Sequence, residues 1–240
     1  SRERDDEVID QSLKLLKDTK NVPTHTRESV ALAAATSLYW IGKYPDAVNL
    51  ININGLDSQP KGLLLKARAL FEGGKTQESI TLLETKISSF KGTARDAVLS
   101  QLARFHILLG QHKLALGVTQ ERISADDKAP FPHVQRLQLL DRLGLKDDYD
   151  KELRVIFANY ADSSAPMVAL ANFAAEKGYS DLTSALAINA GQRGLERATF
   201  AALHLEALLN GPDPAQVIVQ HQQLVAADRA FFKSNEPIVQ

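Results

Sequence analysis

The sequence predicts an all-α fold of about six helical hairpins, and three observations carry the prediction. Glycines recur at a near-constant interval, and small residues stand at fixed distances on either side of them. No segment alternates apolar and polar residues with the period of two that a half-buried strand requires. The glycines are Gly42, Gly74, Gly110, Gly144, Gly178 and Gly211, separated by 32, 36, 34, 34 and 33 residues. Each closes one apolar, helix-like stretch and opens another. Glycine tolerates the left-handed backbone that ends a helix, so each marks a tight link between two antiparallel helices.

Taken in chain order, residues 5–17 place Ile9, Leu13 and Leu16 on one helical face, with acids first and lysines last, as the helix dipole favours. This reads as a terminal cap, a partly polar helix covering the open end of a stack. The first hairpin has its leading helix over 29–41, and Lys43-Tyr44-Pro45-Asp46-Ala47 opens its second. The next leading helices fall over 62–71, 97–109, 134–143, 167–177 and 200–210. Their partners begin with Lys75-Thr76-Gln77-Glu78-Ser79 and Gln111-His112-Lys113-Leu114-Ala115, then cover 149–159, 182–190 and 215–227. Ala35, Ala67, Ala103 and Ala171 lie seven residues before their glycines; Ala47, Ser79, Ala115 and Thr183 lie five after. Small side chains at facing positions let two helices approach closely. The fourth hairpin departs, with Leu137 at the small position and a turn that reads longer; the sixth has His204 there.

Asp57-Ser58-Gln59-Pro60, Lys91-Gly92-Thr93, Ala129-Pro130-Phe131-Pro132 and Ser163-Ser164-Ala165-Pro166 mark boundaries between hairpins. Hydroxyl and carboxylate residues of this kind can cap the next helix, and proline is accepted in a first turn. Thr93 with Asp96 three residues on resembles a capping box, with Asp in place of Glu or Gln. The expected organisation is a capping helix and linker over 1–26, repeats over 27–230, and an irregular tail over 231–240, where Pro237 stops any helix.

This arrangement resembles the tetratricopeptide repeat family, whose consensus has glycine at the helix turn, small residues seven before and five after, and often proline at the boundary. Gly42-Lys43-Tyr44-Pro45-Asp46-Ala47 is its best single instance here. The resemblance implies a right-handed α-α superhelix, a solenoid whose concave wall is lined by the first helix of each hairpin. It also implies groove contacts at recurring first-helix positions. Six residues before each glycine lie Thr36, Arg68, Arg104, Gln138 and Asn172; three before lie Tyr39, Phe71, Ile107, Asp141 and Ala175; nine before, Gln101 and Gln135. The first set is polar in five hairpins although its neighbours are largely apolar. Two readings stay open: the arginines and amides hold an extended peptide, with Tyr39 and Phe71 as apolar anchors, or they form a solvated wall paired with acids of the adjacent hairpin. The lysines and asparagines by which chaperone-tail-binding members hold their ligands are absent, so no such adaptor role is implied.

Composition bounds the function. Of 240 residues, 28 are basic and 29 acidic, without the basic excess of a nucleic-acid binder. No run of 18 apolar residues suits a bilayer span. Cysteine is absent, which removes disulfides, thiolate metal sites and a cysteine nucleophile, and leaves cytoplasmic and periplasmic or envelope-associated locations both open. The opening Ser-Arg-Glu-Arg-Asp-Asp reads as the start of an excised piece of a longer protein.

The sequence carries no catalytic cluster. The histidines, His25, His106, His112, His133, His204 and His221, form no i, i+4 pair that would hold zinc on a helix. His106 reads as a packed, hydrogen-bonded histidine, and Asp126-Asp127 and Asp147-Asp148 as loop acids that solvate turns and cap helices. Gly73-Gly74-Lys75-Thr76 lacks the earlier glycine of a phosphate loop, since Ala69 stands there. The expectation is a non-catalytic scaffold, without metal or cofactor, that binds a protein or peptide. The alternative is a self-associating structural domain, a homodimer through patches such as 187–190 or Phe231-Phe232, or a sensor module of a larger protein.

Overall fold

The computed structural model describes residues 2–17, 23–195 and 197–209, with the isolated positions 219, 222 and 226. Among these residues there are twelve α-helices, two short 3-10 turns and no strand. The chain divides into two compact units, Ser1–Ala125 and Asp126–Gln240.

In the first unit α1 (Arg2–Lys17) packs on α2 (Thr24–Trp40), which pairs with α3 (Tyr44–Ile53). The next two hairpins are α4 (Pro60–Glu72) with α5 (Thr76–Lys86) and α6 (Gly92–Leu108) with α7 (His112–Ala125). The second unit holds α8 (Pro130–Arg142) with α9 (Lys146–Tyr160), α10 (Ser164–Glu176) with α11 (Ser180–Arg193), and α12 (Arg197–Leu209). Within each unit leading helices also touch one another: α2 on α4, α4 on α6, α8 on α10, α10 on α12. Gly211, the second helix of the sixth hairpin, His221 and the tail over 231–240 lie outside the described residues.

The repeat is physical. Gly42, Gly74, Gly110, Gly144 and Gly178 have φ between 68° and 80°, and each turn closes with the same bond from the amide after the glycine to the carbonyl five residues back. Lys43 donates to Leu38 at 2.9 Å, Lys75 to Leu70 at 2.8 Å and Tyr179 to Ala174 at 2.8 Å, the geometry that satisfies the last carbonyls of a helix. The small residues are buried as the spacing predicts, with Ala35, Ala67, Ala103, Ala47, Ser79 and Ala115 all at 0 % exposure. Ser79 Oγ donates to the Ala67 carbonyl at 2.6 Å, a link that a bulkier pair would block.

Each unit buries its own apolar residues. In the first, Leu63, Leu83, Leu102 and Phe105 form one cluster, Ile51 and Leu56 another, and Ile9 of the capping helix a third with Leu38 and Ala47. The second has one core around Leu137, Ile156, Leu170 and Leu186.

Some expectations are corrected. The fourth turn is not longer than the others: α9 begins at Lys146, two residues after Gly144, as α5 begins two after Gly74. Asp147 and Asp148 therefore lie in the first turn of α9 and not in a loop, where their charge favours the helix start. Leu137 fits at the small position because it is the centre of the second unit's core, fully buried. Thr93 forms no capping box: α6 starts at Gly92, so Thr93 is already helical, and Asp96 turns away to accept both Nε and Nη2 of Arg122 at 2.7 and 3.2 Å. Of the self-association patch 187–190, which lies within α11, Ala187 and Ala190 belong to the core and only Ile188 is strongly exposed. α11 is closed by Gly194, at φ 68°.

His106 is packed, with Nδ1 2.8 Å from Gln111 Oε1, and Asp126 accepts the Lys128 amide, closing its turn. His204 occupies its departing position at 2 % exposure, with Nε2 2.6 Å from Ser184 Oγ. Burial lowers its pKa, so the folded chain resists protonation that the unfolded chain accepts. Stability should be unchanged above the unfolded histidine pKa of about 6.5 and fall as pH drops below it, levelling off under the folded value. Urea midpoints at mildly alkaline and mildly acidic pH are expected to differ less in His204→Gln than in the parent chain; an identical difference would exclude His204 as a source.

Candidate partner-binding face

The structure places Thr36, Tyr39, Arg68, Phe71, Gln101 and Arg104 on the leading helices α2, α4 and α6 of the first unit. These three helices touch in order, and each carries two of the residues. The exposures are unequal, and they sort the roles.

Arg68 is exposed on α4, and its Nε donates to Gln101 Oε1 at 2.7 Å, across to the next leading helix. Gln101 is 4 % exposed. Its Nε2 has no hydrogen-bond partner among the described residues. Gln101 thus fixes the direction of Arg68, leaving the outer guanidinium nitrogens turned from that bond. Arg104 is exposed on α6, one turn on, and no ion pair holds it among the described residues. Tyr39 is half-buried, its ring edge-on to Trp40 at 5.3 Å and tilted against Tyr44 at 5.6 Å. Burial raises its pKa, Glu72 adds to that, and the charges of Arg68 and Arg104 oppose it.

Phe71 is stacked flat on Phe105, centroids 4.2 Å apart and planes 3° from parallel, so its ring is largely spent on the first unit's own packing. Thr36 is partly buried and donates its Oγ1 to the Leu32 carbonyl at 2.7 Å, one turn back. Trp40, 72 % exposed beside Tyr39, is an aromatic surface that first-helix register alone does not select.

In the second unit Gln135 and Gln138 lie partly buried on α8, and Asn172 is exposed on α10. Asp141, on the same register, is engaged: Tyr179 Oη donates to its Oδ1 at 2.5 Å and Lys177 Nζ lies 2.9 Å from its Oδ2. Burial would raise the Asp141 carboxyl, but these two bonds outweigh it and hold its pKa below the usual carboxylate value. Among the described residues no group of three or more acids and histidines is arranged to hold a metal ion, and no helix is long and apolar enough to cross a membrane.

No protein-family model matches the chain, and no curated protein matches it. Solved structures do. TTC0263, a thermophilic TPR protein in Thermus thermophilus, superposes with a TM-score of 0.50 at 21% identity, covering 76% of this chain and 99% of its own. The fold is tetratricopeptide-like. YrrB, a TPR protein with an unusual peptide-binding site, aligns over 80% of this chain and 96% of its own at 13% identity, with a TM-score of 0.46. In this tetratricopeptide-like, all-α solenoid fold the leading helices are the repeated elements that carry the polar row, and the turn glycines set its spacing.

Proposed function

We propose that this chain is a non-catalytic protein-interaction module that binds an extended, acidic peptide segment of a partner protein through the leading-helix face of its first unit. The observation that carries the reading is the pair of exposed arginines on touching leading helices, Arg68 on α4 and Arg104 on α6, with Arg68 oriented by buried Gln101. Guanidinium groups present planar donors that match a carboxylate, and an orienting bond lowers the entropy lost on binding. Tyr39 and the exposed Trp40 supply apolar contact next to the charges, the residue types that dominate interface energetics. Phe71 supports this face through Phe105, and Thr36 flanks it. Gln135, Gln138 and Asn172 are proposed as an amide contact set on the corresponding face of the second unit, suited to peptide backbone groups.

Panning a random-peptide display library against the chain is expected to enrich segments carrying Asp or Glu. For an enriched peptide, Arg68→Ala with Arg104→Ala should weaken binding about 10-fold or more by fluorescence anisotropy, since charge-assisted bonds are lost at two points. Both side chains are exposed, so the circular dichroism spectrum should not change. An unaltered dissociation constant in the double variant would remove the first unit's face from the reading.

A further inference from the structure

The second unit also holds a cleft of about 570 Å³, lined by both the Gly144 and the Gly178 turns. That volume falls in the range of small-ligand sites, roughly 300–1,000 Å³. Leu140, Leu153 and Leu182 give it apolar walls. Tyr149 and Tyr179 line it as well, and so do Asp141, Asp150 and Asp181. Asp141 is satisfied by Tyr179 and Lys177, but no ion pair holds Asp150 or Asp181 among the described residues. Lys146 also lines the cleft, leaving one negative charge in excess once Lys177 is set against Asp141.

Tyr149 breaks the repeat. Five residues after the turn glycine the first, second, third and fifth hairpins carry Ala47, Ser79, Ala115 and Thr183, all buried and small. The fourth carries a tyrosine there, and it lines the cleft. Tyr149 also packs on the second unit's core, so its ring joins that core to the wall of the cleft. Burial, then neighbouring Tyr179 and the charges of Asp141 and Asp150, push the Tyr149 phenol up to about 12, so it stays neutral and keeps its proton.

We propose that this cleft receives an arginine side chain presented by a partner protein. Its aliphatic stem lies along the leucines, its planar head meets the tyrosine rings, and its N–H donors reach Asp150 and Asp181. The charge excess disfavours an anion. Lysine would match less well, because its compact ammonium lacks both the fork and the stacking face. The inference is independent of the arginine face of the first unit, which involves different residues and the opposite charge.

The test titrates the full chain with N-acetyl-arginine amide, following backbone amide signals by NMR. Shifts are expected at Gly144, Gly178 and Ser180, around the cleft. N-acetyl-citrulline amide, of nearly the same shape but uncharged, should bind about 10-fold more weakly, and so should the arginine probe to Asp150→Asn with Asp181→Asn, the loss expected for two partly exposed ion pairs. Arg68→Ala with Arg104→Ala should bind the probe as the parent does, so that the two readings fail separately. Equal affinity for citrulline, undiminished affinity in the Asp150/Asp181 variant, or no shift at the cleft would overturn the proposal. Tighter binding of free arginine than of the blocked residue would overturn its source, making the occupant a metabolite.

Discussion

Glu152→Ala is expected to destabilise the second unit by about 3–5 kcal/mol, the cost of removing one member of a buried ionic cluster. Glu152 is 3 % exposed on α9 and faces α8. Its Oε1 lies 2.6 Å from His133 Nδ1, and its Oε2 accepts from Arg136 Nη1. A carboxylate oxygen can only accept, so His133 Nδ1 donates to it. The cluster continues: His133 packs against Tyr160 with centroids 5.5 Å apart, and Tyr160 Oη donates to the Asp127 carbonyl at 2.8 Å, tying down the segment before α8. Alanine would leave an imidazole donor and a guanidinium without their acceptor and open a void between the helices. Arg136 is partly exposed and can turn to water; His133 cannot. Glu152→Gln, which keeps an acceptor for His133, should lose less. Glu152→Met with His133→Leu should recover much of the loss, because apolar replacement of both partners removes the desolvation cost along with the bond. Urea unfolding followed by far-ultraviolet circular dichroism separates the three; a loss in Glu152→Ala below about 1 kcal/mol would mean that the cluster contributes no more than an exposed pair.

The cluster is not legible in the sequence, and the reason is geometric. His133 and Glu152 stand 19 residues apart on two helices, a separation that no helical or repeat period marks. What the sequence does expose is whatever the repeat enforces. Left-handed backbone selects glycine, and close helix approach selects alanine or serine, so both signals recur along the hairpins. The polar first-helix row is visible for the same reason. That Gln101 is buried beneath Arg68 is not, because burial depends on the curvature of neighbouring side chains and not on register. Thr93 and Asp96 show the converse error: the local motif matches, but Arg122, 26 residues beyond Asp96, competes successfully for its carboxylate. The cleft in the second unit is hidden too, yet its clue is present in Tyr149, at a position that four of the hairpins keep small.

Gly62→Ala is expected to destabilise the first unit, although alanine is the better helix former. Gly62 lies in the first turn of α4 and is buried. In an open helix the substitution would gain about 1 kcal/mol from reduced freedom of the unfolded chain and better propensity. Here an added Cβ would sit 2.7 Å from the carbonyl carbon of Leu56 and 2.8 Å from its Cβ, and closer still to the carbonyl oxygen. That obstacle is backbone. Leu56 opens the 3-10 turn Leu56–Ser58, is itself 2 % exposed, and cannot move freely, because Lys66 holds Asp57 at 2.8 Å and the Gln59 carbonyl anchors the Leu63 amide at 2.9 Å. Overpacking of this kind costs roughly 1–3 kcal/mol, with stiff backbone contacts at the upper end, so the net loss should be about 2 kcal/mol. Gly117 supplies the control. It lies in α7 with nothing within 4 Å of an added Cβ, and Gly117→Ala should therefore stabilise by about 0.5–1 kcal/mol. Opposite shifts of the urea midpoint in the two variants would show that a close approach between α4 and the preceding turn, and not helix propensity, requires glycine at position 62; a stabilised Gly62→Ala would mean that the turn yields and that the first two hairpins are not locked at that point.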